Sequence, residues 1–224
     1  MKTECYSNTL PLDTPLSART YRGVTLFCRA ISSLFNPLFI PVFGIALLLY
    51  GDTVLRLLPC TLKAWYLGSG VLSMAVVPGL SIMLMRNFGM VSDLSLPERR
   101  ERFLPTSLLL LCYIAFFLMI RDVSSAFLIR KYLLMAIGCA TLMLGVTFFW
   151  KISAHAISAG GFSALLTLIT ISGVGNLLPA LIVAILVSGA LCSARLWLGH
   201  HTPAQVATGY LGGFGAGMGI MLIF

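Results

Sequence analysis

Along the chain, apolar stretches of membrane-crossing length alternate with short polar segments. Windows of about 17 to 25 mostly apolar residues fall at Val24–Tyr50, Ala64–Met85, Pro105–Ile120, Tyr132–Trp150, His155–Ile171, Pro179–Leu198 and Pro203–Phe224. In a bilayer core the backbone must satisfy its own hydrogen bonds, which leaves helices or a closed barrel. Runs this long select helices. The pattern predicts an all-α fold, a polytopic membrane helix bundle of six to seven transmembrane helices. The third run is short, and the first contains Pro37 and Pro41, which predict a kink or a re-entrant portion. Residues 1–23 are polar and proline-containing and lack an apolar signal region ending in a small-residue cleavage site. They read as a short tail ahead of a single membrane-embedded domain over residues 24–224.

The polar residues interrupting this pattern are not scattered. His155 lies in "KISAHAISAGG", and His200 and His201 lie in "SARLWLGHHTPAQV". The 45 residues between His155 and His201 suffice for one helix down, a turn at "SGVGNLLP" and one helix back. Both segments should therefore emerge on one membrane face, with Trp150 and Trp197 anchoring helix ends there. Each segment also reads as a helix start. Thr202-Pro203-Ala204-Gln205 has the form of a capping box, and Ser153 is placed to cap the helix carrying His155. Free N–H groups at helix starts favour an anion. With Lys151 and Arg195 nearby, the two starts describe a phosphate pocket.

A third polar stretch, "SDLSLPERRERFLP", reaches the same face if both intervening runs cross. It holds Arg99, Arg100 and Arg102 together with Glu98 and Glu101. One reading is an interfacial helix capped by Ser95-Leu96-Pro97-Glu98, with Glu98 pairing Arg102. The other is a phosphate-binding contribution from Arg99 and Arg102.

Composition narrows the class further. Hydrophobic residues make up 58% and charged residues 10%, with a mean hydropathy of +0.97, which excludes an ordinary soluble domain. The formal net charge of +8 would suggest a nucleic-acid partner in a soluble protein. Here several arginines cluster in short loops at lipid-headgroup depth, and no nucleic-acid module is visible. A multi-pass protein of the cell membrane is expected, with the bilayer as its surroundings. Basic residues flank both faces, so the positive-inside rule does not orient it. Six dispersed cysteines without CxxC or metal spacing read as packing residues, and neither metal nor cofactor is expected. Gly209, Gly213 and Gly217 repeat every four residues on one face of the last helix, which predicts close packing within the bundle or a homodimer contact.

"ARLWLGHHTPAQVATG" resembles the third signature of the type-2 phosphatidic acid phosphatase (PAP2) superfamily, an arginine followed after five residues by a histidine and four positions further by an aspartate. "ISAH" resembles its second signature, Pro-Ser-Gly-His. Arg195 and His201 match the third motif, and Ser153 and His155 the second. The resemblance covers the chain from about residue 95 onward. It implies metal-free hydrolysis of a lipid phosphate or pyrophosphate through a phosphohistidine in a bundle of about six helices. His201 would attack phosphorus, and His155 would protonate the leaving oxygen. Such proton transfer contributes roughly 10²- to 10⁴-fold. Arg195, Ser153 and helix-end amides would neutralise the phosphate oxygens, with Lys151, Arg102, Arg99, His200 and Gln205 as further candidate substrate contacts.

Two departures stand out. Gln205 occupies the place of the family aspartate, so it offers His201 an acceptor but no charge; Glu98, Glu101 and Asp93 are the carboxylates that could take over. The first signature, a lysine followed six residues later by Arg-Pro, has only "PERRERFLP" as its nearest match, with Arg102 as the preferred equivalent. These departures support a rival, a protein that binds or flips phospholipid without chemistry. A histidine bonded to a helix-end carbonyl is the structural alternative for His155 and His201, and a solvated interfacial imidazole for His200. A channel is disfavoured because the polar residues gather at one face.

Overall fold

The computed structural model describes residues 15–92 and 100–223. These residues form an all-α bundle. Its helices are α1 (Pro15–Leu34), α2 (Ile40–Tyr50), α3 (Cys60–Val71), α4 (Val77–Asn87), α5 (Phe103–Ile120), α6 (Phe127–Thr147), α7 (Ala154–Ile171), α8 (Leu178–Trp197) and α9 (Pro203–Ile223). Among the described residues, six stretches are long and apolar enough to cross a membrane: Cys60–Asn87, Arg100–Ile120, Ser124–Thr147, α7, α8 and α9. The chain is a multi-pass membrane protein.

The run over Val24–Tyr50, expected to kink or turn re-entrant at Pro37 and Pro41, is broken into two helices, and α1 starts inside the stretch expected to be a polar tail. The break has a local cause. Phe35 N–H makes the last bond to Ile31, and Pro37 then pushes Asn36 away from helical geometry. The Asn36 side chain accepts from Leu38 N–H at 3.0 Å, closing a turn that competes with the helix. Pro41 costs little because it sits in the first turn of α2, where N–H groups lack partners in any case. Tyr132 fixes the new helix: its ring covers Gly44, and its hydroxyl donates to the Pro41 carbonyl at 3.0 Å.

The two pieces make one interrupted passage. Tyr21 and Thr25 of α1 lie against Trp197 at the end of α8, while Leu34 shares a groove with Val187 and Leu191, deeper along the same helix. Beyond α2, Asn176 N–H donates to the Asp52 carbonyl at 3.0 Å, joining the α2 end to the α7–α8 turn on the opposite face.

The second run, expected over Ala64–Met85, extends over Cys60–Asn87 with a π-helical turn at Leu72–Val76. Pro78 explains the turn, because it removes one N–H from the ladder and Val77 N–H instead reaches back to Leu72. The third run is not short. A tight turn over Arg100–Arg102 leads directly into α5 and gives 21 residues.

The most buried of these spans is α7, and α9 lies against it almost backbone to backbone. A Cβ at Gly213 would collide with the Ile157 carbonyl, and one at Gly160 with the Tyr210 carbonyl. Gly209, Gly213 and Gly217 are all buried. The glycine repeat is thus spent inside the bundle, and those three residues are not available for a homodimer contact.

Candidate functional site

Five helix ends meet on one face. The starts of α5, α7 and α9 bring Arg102, His155 and His201, and the ends of α1 and α8 bring Ser32 and Arg195. Arg102 Nη1 donates to the Ile152 carbonyl at 3.1 Å, which ties the stretch before α5 to the segment that enters α7. Gly209 rests on Ser153 and Ala156, so the second turn of α9 touches the start of α7. His201, Arg195 and Arg102 all act electrostatically on His155, and Arg102, Arg195 and Lys151 act on His201. The two histidine segments therefore share one face and one neighbourhood.

The capping box at the start of α9 forms as expected. Gln205 N–H donates to Thr202 Oγ1 at 3.4 Å, and Thr202 N–H donates to Gln205 Oε1 at 3.2 Å. The same Oε1 lies 3.2 Å from His201 Nδ1. An amide oxygen can only accept, so Nδ1 carries the imidazole proton and Nε2 keeps its lone pair. Local helix capping thereby fixes the tautomer of a residue outside the helix. His201 is 8% exposed. Burial lowers its pKa from the usual 6.5 to about 4; the Gln205 bond opposes this, while Arg102, Arg195 and Lys151 add to it. The ring is neutral at pH 7.

His155 meets a different partner. Its Nε2 lies 3.1 Å from the Ser32 carbonyl in the last turn of α1. A carbonyl also only accepts, so Nε2 is the protonated nitrogen and Nδ1 is free. This is the helix-end contact that sequence offered as the structural alternative, and it leaves one nitrogen for chemistry. Ser153 is fully buried and caps α7 by accepting Ala156 N–H at 3.4 Å. Its hydroxyl keeps a hydrogen to donate beyond this cap. Two other polar atoms in this region, Ser32 Oγ and Arg195 Nε, are buried without a hydrogen-bond partner.

Lys151 and His200 stand at the rim. Burial, then Arg102 and Arg195, lowers the Lys151 pKa. Burial, then Arg195, Lys151, Arg29 and Arg102, lowers that of His200, whose side chain is exposed. Gly199, at φ +66°, ends α8 and turns the chain so that the adjacent histidines diverge, one exposed and one buried.

Glu101 does not serve His201: both its carboxylate oxygens are taken by Ser92, at 3.0 Å from the amide and 2.9 Å from the hydroxyl. Asp93, Glu98 and Arg99, and the capping box at Ser95, lie outside the described residues. No cluster of His, Cys, Asp or Glu suited to a metal occurs among the described residues. Sequence reasoning missed α1, whose Ser32, Thr25 and Tyr21 contact His155 and Trp197. Its available signal was the pair Ser32-Ser33 just before Asn36-Pro37, polar residues at the point where an apolar helix must stop.

No family model matches the chain, nor does any curated protein or solved structure.

Proposed function

We propose that the protein is an integral membrane phosphatase that hydrolyses a lipid phosphate or pyrophosphate at this face, as the motif resemblance implies, with the cell membrane as its setting. One observation carries the reading: a guanidinium with a buried, unpartnered Nε stands with two imidazoles of defined tautomer where helix starts converge. Arg195, Arg102 and Lys151 supply positive charge for a phosphate dianion, and the Ser153 hydroxyl supplies a neutral donor.

The lone pair on His201 Nε2 attacks phosphorus while the bond to the lipid oxygen breaks. As the phosphate dianion enters, His155 takes a proton from solvent onto its free Nδ1, the anion offsetting the charge, and gives that proton to the leaving oxygen, with Nε2 held by the Ser32 carbonyl. Water then attacks the phosphohistidine, His155 takes a proton from it, and the P–N bond breaks to release inorganic phosphate. Gln205 holds His201 through the cycle but contributes no charge to its imidazolium-like state. A triad that loses the equivalent aspartate slows about 10⁴-fold, so turnover is expected to be slow.

The test is phosphate release from detergent-solubilised lipid phosphates by purified protein. His201→Ala is expected to abolish it, and full activity in that variant excludes His201 as the nucleophile. The Gln205 position favours a second reading, a phospholipid binder that retained the pocket and lost the chemistry. Binding of lipid phosphate with no phosphate released by the unmodified protein would select it.

A further inference from the structure

Beneath the pocket an apolar groove of about 530 Å³ runs between the interrupted first passage, α7 and α8. Phe35 and Phe43 wall it on one side, Phe162 behind, and Val183, Val187 and Leu191 on the other. Leu191 precedes Arg195 by four residues, and Ala159, also in its wall, follows His155 by four. Four residues place side chains on the same helix face one turn apart. The groove therefore begins one turn below the guanidinium and imidazole of the pocket. From Leu191 it descends along α8 to Pro179, about 18 Å at 1.5 Å per residue, roughly the hydrocarbon depth of one leaflet. Leu34, Phe43 and Val183 at its edges are exposed, so it opens sideways toward lipid.

Two independent observations mark its upper end. Ser32 is 7% exposed, and its Oγ has no partner; Arg195 Nε has none either. Buried donors left unmade are costly. Both sit on helices that wall the groove, and the Ser32 carbonyl holds His155. Cationic and donor-rich above, apolar below, the space complements an amphiphile with an anionic head. A second cavity, bounded by α2, α5, α6 and α7, measures about 50 Å³, which holds a water or two and no chain.

We propose that this groove binds one hydrocarbon chain of a lipid phosphate, with Ser32 Oγ and Arg195 Nε donating to headgroup oxygens. The proposal rests on the phosphate-pocket reading above and adds the chain site and its single occupancy. The substrate would enter sideways from the bilayer, between the first passage and α8.

The test uses the unmodified full chain in detergent and a hexadecyl phosphate carrying a diazirine near its chain end. After irradiation the adducts are mapped by mass spectrometry. Adducts are expected on Phe43, Phe162 and the Val183–Val187 stretch, with the matching hexadecyl alcohol labelling them about tenfold less because it lacks the charged head. Adducts on α5 or α6, or equal labelling by the alcohol, would overturn the proposal. Parallel assay of phosphate release separates the two claims. Groove labelling without release removes the phosphatase and keeps the chain site, whereas release with labelling elsewhere removes the chain site alone.

Discussion

A single amide orientation governs what His201 can do. Thr202 N–H donates to Gln205 Oε1, so that oxygen faces His201 Nδ1 and the Nε2 lone pair stays uncommitted. Replacing Gln205 with aspartate, one carbon shorter, adds the missing charge beside His201; phosphate release is expected to rise by about tenfold or more. A fall would mean that the site is built around the neutral amide. The depressed His201 pKa carries a stability consequence. Above pH 6.5 both folded and unfolded states hold a neutral ring, and His201 contributes no pH dependence. As pH falls from 6.5 toward about 4 the unfolded state binds the proton first, and at pH 5 the loss is about 2 kcal/mol. Thermal melts in detergent at pH 7.5 and 5 are expected to show this drop, and His201→Gln to reduce it. The capping contacts at Thr202, Gln205 and Ser153 were legible in the sequence because each closes within four residues. Ser32 was not, because its contact with His155 spans 123 positions. Glu101 was a reasonable carboxylate for His201 until Ser92 was found holding it.

At the level of elements, the pairing of α7 with α9 brings the two histidine segments together, since they are the approaches to those helices. The fourfold glycine spacing announced a close contact, and the partner could be named only from three dimensions. Gly213→Val would drive side-chain atoms into the Ile157 backbone, whereas Gly215 on the same helix has open space around it. Melting in detergent is expected to show a loss of about 1–3 kcal/mol for the first variant and little change for Gly215→Val. Equal effects would place the α7–α9 contact elsewhere. The interruption of the first span escaped a reading by apolar run length, because Phe35, Leu38 and Phe39 keep hydropathy high through the break. Proline and asparagine chemistry ends α1, just past the polar pair Ser32-Ser33.

Across the whole molecule, the helices alternate in direction so that Arg102, Lys151, Arg195 and His201 share one face, while Asp52, Arg56, Arg121 and Asp122 share the other. Cations lie on both, and charge counting could not orient the chain. With native cysteines replaced by alanine, Lys151→Cys and His200→Cys are expected to react with an impermeant maleimide from one side of oriented vesicles. Asp52→Cys and Asp122→Cys should react only from the other. Reaction of positions 151 and 200 from opposite sides would dismantle the pocket.

The convergence of two imidazoles beside Arg195 has its most direct test in a rapid-quench experiment with radiolabelled lipid phosphate. The expected result is an acid-labile, base-stable phosphoryl adduct on His201 in the unmodified protein and none in His201→Ala. Undiminished phosphate release by His201→Ala, or bound lipid with no adduct at any quench time, would contradict it.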